Sequence, residues 1–248
     1  MTGSEFVKPL HNTVTVSVMS IPSILSDLEV FVSTKRIEIS NNVEGEGRGG
    51  SLHDEGSVKA ALQEHEIFKN HVIDEPARKF GDITVIDHDD KTRHPVNIKT
   101  SLGGTDNCFS KAGIVYALTD LSDAEIPKAM NFQKMLNLIE EHGKPVANRD
   151  YWFLCIDKKD PSNVMVRGAK QINCWIENPS NVLQVNWKKE KMLPPAERTW
   201  EEAYDVLVGG AKRATLKFIR NLPREWLDEL MDELTEKVEV EQVDVDTV

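Results

Sequence analysis

The 248-residue sequence predicts a mixed α/β fold, a central mixed sheet with helices on both sides. Three observations carry this expectation. Two short segments of alternating pattern close a hairpin over Gly81 to Thr100. The uninterrupted apolar run Tyr151 to Ile156 reads as a strand buried on both faces, and helical spacing of apolar residues recurs before and after these strands.

Taken in order, residues 1 to 20 are polar and β-branched, with Val14 to Val18 a strand or arm. Ile21 to Val32 reads as a short helix with Ser23 as a possible cap, and Lys35 to Ile39 as extended chain. Asn41 to Gly50 is a Gly-rich loop, after which Val58, Leu62, Ile67 and Phe68 recur at helical spacing. The hairpin follows: Gly81 to Asp87 as one strand, His88 to Arg93 as a polar turn, Pro95 to Thr100 as the return. Ser101 to Asn107 reads as a turn-forming loop, Ala112 to Leu118 as an apolar helix and Ser122 to Glu141 as an amphipathic helical region.

The strand Tyr151 to Ile156 turns at Asp160 to Asn163 and returns through Val164 to Val166; Gln171 to Trp175 and Val182 to Trp187 are two further short strands. Thr199 can cap a long helix with Glu201 and Glu202 in its first turn; Pro223 breaks it, and Arg224 to Lys237 forms a last acidic helix. The expected organisation is one domain over residues 1–236, with 1–50 as an N-terminal arm and Gly-rich loop, and an acidic tail over 237–248. Gly3 to Phe6 can be read as native or as a cloning remnant.

Composition narrows the function classes. With 40% hydrophobic and 29% charged residues the chain is of ordinary globular make-up, and no run approaches the ~18 apolar residues of a membrane span, so no membrane partner is expected. Cys108, Cys155 and Cys174 are odd in number and widely spaced, which fits reduced thiols in a cytoplasm and not a disulfide framework or zinc site. The net charge of −11 argues against a simple basic nucleic-acid binder, although acid is concentrated after Leu227 while Lys158 to Lys191 is locally basic.

The hairpin carries the chemistry. Val96 and Ile98 alternate with Asn97 and Lys99, so the return strand has an apolar and a polar face, and the polar face gathers Asn97 and Lys99 beside Asp82. A carboxylate can hold a hard cation through oxygen, and a lysine can orient water and stabilise charge developing on a phosphate. The same residues are also compatible with an ordinary exposed hairpin whose charges are merely solvated.

Gly81-Asp82, then Asn97-Ile98-Lys99 on the next strand, resembles the PD-(D/E)XK nucleases, in particular type II restriction endonucleases. Gly81 stands where the family has proline, and Asn97 stands where it has the second acid, an Asn-X-Lys form that a few members share. An engineered or decayed acid would read the same way. The resemblance implies a restriction-endonuclease-like fold and a homodimer that cuts double-stranded DNA at a short palindrome, leaving 5′-phosphate and 3′-hydroxyl ends. It implies Mg²⁺, with Mn²⁺ as substitute, on Asp82, the amide oxygen of Asn97 and the carbonyl of Ile98, with Lys99 positioning the attacking water.

Glu55 is the best match to the helix glutamate that several members place near the metal, as a further ligand or water partner, with Glu64 in reserve; solvated helix acids are the alternative. Arg48 in the Gly-rich loop, and Asn107, Ser110 and Lys111 after the lysine strand, are implied DNA contacts. The order of elements from Gly81 to Glu229 is similar to that of blunt-cutting members. On that reading Asn186, Lys188, Lys189 and Lys191 form a recognition loop, amides for base edges and lysines for phosphates; a solvated turn is the other reading. Three rivals stay open: a repair or junction nuclease of the same superfamily, a non-catalytic DNA-binding or structural protein with a decayed site, and an acidic protein-interaction domain.

Overall fold

The computed structural model describes residues 20–35, 37–39, 47–75, 81–102, 105–127, 129–180 and 182–226, with the backbone alone at 47–51 and 105–108. The strand expected at Val14 to Val18, the loop over 40–46, most of the last acidic helix and the tail lie outside the described residues.

Helices α1 (Ser23–Lys35) and α2 (Gly47–Glu64) lead into the short strand β1 (Val72–Asp74), then β2 (Ile83–Ile86) and β3 (Arg93–Ser101). After β4 (Thr105–Phe109) come α3 (Lys111–Leu118) and α4 (Phe132–His142), then β5 (Trp152–Asp157) and β6 (Val164–Gly168). Strands β7 (Trp175–Asn178) and β8 (Val182–Asn186), the short helix α5 (Trp187–Glu190) and the long helix α6 (Trp200–Arg220) complete the order.

Five strands form one mixed sheet in the order β1-β2-β3-β5-β6, and β4-β8-β7 form a second, antiparallel one. Within the first sheet only β3 and β5 run parallel, from Val96 opposite Trp152 to Ser101 opposite Asp157. The chain crosses between them through β4, α3 and α4. The predicted mixed α/β class is therefore observed.

The alternation along β5 explains the layering. Trp152, Leu154 and Ile156 point to one face and pack with Val96, Ile98, Ile83 and Val85, under Leu25, Leu28 and Val32 of α1 and Val58 and Leu62 of α2. Phe153 and Cys155 point to the other, against Phe109, Ile114, Val115 and Leu118, with Met135, Ile139, Leu207 and Ala211 behind them. A strand buried on both faces must be apolar without interruption, as Tyr151 to Ile156 is.

Several boundaries differ from the sequence expectation. Gly47 to Gly50, read as loop, are the first turn of α2. Residues 105–107, read as loop, pair in β4, with Thr105 opposite Asn186. The helical region expected from Ser122 starts only at Phe132, because the Ser122 N–H and hydroxyl both bond Glu125 Oε2 in a tight turn and Asn131 caps the helix at Lys134 N. At the expected strand Gln171 to Trp175 the chain makes a 3-10 turn, Ala169–Gln171, in which Gln171 Oε1 accepts from Gly168 N, and β7 begins at Trp175. The cap on α6 is as expected: Thr199 and Glu202 bond each other's N–H reciprocally.

One buried polar set fixes α2 on the sheet. Asp54 is fully buried, and its Oδ2 accepts from Thr100 Oγ1 of β3 at 2.9 Å and from Lys158 Nζ, just past β5, at 2.9 Å. Removing the carboxylate strands the largely buried Lys158 ammonium, a loss of about 3 kcal/mol or more. Asp54→Ala should therefore lower the free energy of unfolding by about that much in urea titrations. A loss well under 1 kcal/mol would mean that the Asp54–Lys158 pair does not hold these elements together.

Candidate active site

The site begins where β2 and β3 part. Their register runs from Ile86 opposite Arg93 to Ile83 opposite Val96, and one more bond, Asp82 N to Val96 O at 2.9 Å, closes it. The next N–H of β3 on that edge, Ile98, has no strand beside it. Asp82 supplies the acceptor: its Oδ2 takes the Ile98 N–H at 2.7 Å. The carbonyl of a strand residue faces the same edge as its own N–H, so the Ile98 carbonyl points to the Asp82 side as well.

Asn97 and Lys99 alternate with Val96 and Ile98 and so leave the sheet on the other face. Asn97 Oδ1 is buried and has no hydrogen-bond partner among the described residues. An unpaired buried acceptor costs roughly 1–3 kcal/mol. Lys99 is half-buried and forms no ion pair with the described residues. Its charge acts on Asp82 all the same. Burial pushes the Asp82 carboxyl above the ordinary aspartate range, Lys99 pulls it back, and Glu55 pushes it up again.

Glu55 reaches this edge from α2, whose next turn carries Lys59. The Lys59 ammonium lies 2.7 Å from Glu55 Oε1 and 2.8 Å from Asp74 Oδ1 at the end of β1. Desolvation acts to lower its pKa, but the bonds to Asp74 and Glu55 outweigh it and hold Lys59 above the usual lysine value. Four elements thus deliver acids and ammonium groups to one edge: α2, β1, the start of β2, and β3. The reserve candidate, Glu64, is exposed at the far end of α2.

The charges of Lys99 and Glu55 act on Asp82, and Asn97 stands next in the chain to Ile98, whose N–H Asp82 takes. The Glu55–Lys59 pair was accessible to sequence reasoning, since glutamate and lysine stood at i,i+4 on a predicted helix. Asp74 was not, because only the pairing of β1 with β2 carries it there.

The implied DNA contacts fare differently. The side chains of Arg48 and Asn107 lie outside the described residues, although Arg48 falls in α2 and Asn107 in β4. Ser110 caps α3, its Oγ accepting from Gly113 N, and Lys111 opens that helix half-exposed. The expected basic loop after β8 is the helical turn α5, capped by the Asn186 side chain at Lys189 N, because Asn186 offers an acceptor where the strand ends. Lys191 pairs with Asp157 at 3.0 Å, while Lys188 and Lys189 are exposed and make no ion pair among the described residues.

The donors gathered at Asp82 are hard oxygens, the kind that Mg²⁺ and Mn²⁺ take. Asp82 Oδ2 accepts from Ile98 N, and among the described residues Asn97 Oδ1 has no hydrogen-bond partner. Among the described residues no three or more His, Cys, Asp or Glu side chains are arranged to hold a metal ion, so such an ion would depend on the amide, a backbone carbonyl and its own water or substrate ligands. Nor, among them, is any helix long and apolar enough to cross a membrane. No protein-family model matches the chain, and no curated protein matches its sequence.

Proposed function

We propose that the chain is a metal-dependent endonuclease of the PD-(D/E)XK kind, a type II restriction enzyme that hydrolyses double-stranded DNA at a short palindrome as a homodimer. The observation that carries the reading is the parting of β2 from β3, where Asp82 is fixed on the N–H of Ile98, the residue between Asn97 and Lys99, and the charge of Lys99 acts on it. A mixed sheet flanked by helices, with the aspartate strand and the lysine strand as neighbours, is consistent with the restriction-endonuclease-like fold.

On this reading Asp82, Asn97 Oδ1 and the Ile98 carbonyl would hold Mg²⁺ (or Mn²⁺), which would supply positive charge at the scissile phosphate. Asp82 is kept in place by its bond to Ile98 N. Lys99, with no carboxylate partner among the described residues, orients the attacking water in line and stabilises the charge developing on the phosphoryl oxygens. Asn97 contributes an oxygen but no charge, so Asp82 alone among these ligands is anionic. Lys188 and Lys189, exposed on α5, meet phosphates; Asn186 and Lys191 are engaged within the protein and contribute through the shape of the turn. The superfamily's repair or junction nucleases share this chemistry, and the cut sites distinguish them. A decayed, non-catalytic site is the rival that the neutral Asn97 keeps in play.

Lys99→Ala should reduce cleavage of plasmid DNA by about 10²–10³-fold or more while gel-shift affinity is retained. A mutant that cuts as fast as the native chain contradicts the assignment. Cleavage needs Asp82 ionised, and burial raises its carboxyl in the folded protein, so activity of the free chain should fall as pH drops, from above the ordinary aspartate range. A rate that shows no fall on the acid side would contradict the role given to Asp82. Lys188→Ala with Lys189→Ala should weaken DNA binding irrespective of sequence and flatten the slope of log K against log salt by about 2; an unchanged slope would place the phosphate contacts elsewhere.

A further inference from the structure

Three acids and two ammonium groups share the edge beside Asp82, and one of those ammonium groups is held unlike the other. Lys99 has no carboxylate partner among the described residues. Lys59 has two, at 2.7 and 2.8 Å, and its side chain is only 16% exposed. Nothing in helix formation requires the second contact. An i,i+4 pair with Glu55 is local, but Asp74 comes from β1 and reaches the same ammonium only through the fold. An ammonium gripped by carboxylate oxygens from two elements occupies the place that a metal ion bridging those carboxylates would take.

We infer that Lys59 is the resident second cation of this site, filling the position between Glu55 and Asp74, so that the edge beside Asp82 binds one divalent ion per chain and not two. The inference deepens the metal-site reading above and rests on it. Charge supports it. Glu55, Asp74 and Asp82 carry three negative charges against two from Lys59 and Lys99, so one divalent ion already turns the cluster positive, and a second would have to displace Lys59 from both of its acids. Glu55 is then a holder of Lys59 and not a metal ligand in the native chain. Lys59 is a positioning residue, acting on the reaction through Glu55 and Asp82.

The test counts ions. Mn²⁺ is titrated into the full-length chain and the free ion is followed by its electron paramagnetic resonance signal, with plasmid cleavage measured in parallel. The native chain should take up one Mn²⁺, and Asp82→Asn should lose it. Lys59→Met keeps the length and apolar stem but frees Glu55 and Asp74, and should take up two. Lys59→Arg, which restores the cation, should return the count to one, and circular dichroism establishes that each variant is folded. A native chain binding two ions or none, or a Lys59→Met chain that still binds one with unchanged affinity, overturns the inference. If the counts go from one to two but no DNA is cut, the Lys59 assignment stands while the nuclease reading falls; cleavage with an unchanged count gives the reverse.

Discussion

A strand edge that loses its neighbour must find another acceptor for its N–H groups, and here that requirement places the site. β2 stops pairing with β3 at Val96, and the Ile98 N–H beyond it is taken by Asp82 at 2.7 Å. That one bond fixes a carboxylate at the opening of the sheet. Without it Asp82 would be a surface acid at a bend, and Asn97 and Lys99 would have no anion to work with. The layers follow from the same geometry. β5 supports β3 on its other edge, α2 docks over the gap through Asp54, and Asp54 in turn meets Thr100 and Lys158.

The electrostatics of the edge are a balance. Burial and Glu55 disfavour a charged Asp82; Lys99 favours it. Lys59 gathers Glu55 and Asp74 and so limits how much negative charge the edge shows to solvent. A chain of net charge −11 needs some such arrangement to meet a polyanion, because its long-range field is repulsive and only local cations can offset it.

Much of this was legible in the sequence because it is local. The hairpin, its polar and apolar faces, the doubly buried strand at Tyr151 to Ile156 and the Thr199 cap each follow from periodicity or from a single capping pattern. What was not legible depends on tertiary placement. Asp74 joins the site because β1 pairs with β2, Asp54 becomes fully buried because α2 packs on β3, and the lysines after β8 form a helical turn because Asn186 caps it. Spacing suggested that Lys188, Lys189 and Lys191 act alike, but Asp157 lies next to only one of them. The amide at Asn97 was visible at once; that its oxygen is buried without a partner among the described residues was not.

The central claim is that this edge cuts DNA, and the most direct measurement is incubation of the native chain with plasmid and phage DNA in Mg²⁺, then in Mn²⁺, read on a gel. The account predicts discrete fragments whose mapped ends share one short palindrome and carry 5′-phosphates. DNA that stays intact with both metals would contradict it. A low-salt gel shift on the same samples would then separate a DNA binder with a silent site at Asn97 from a protein with no affinity for DNA.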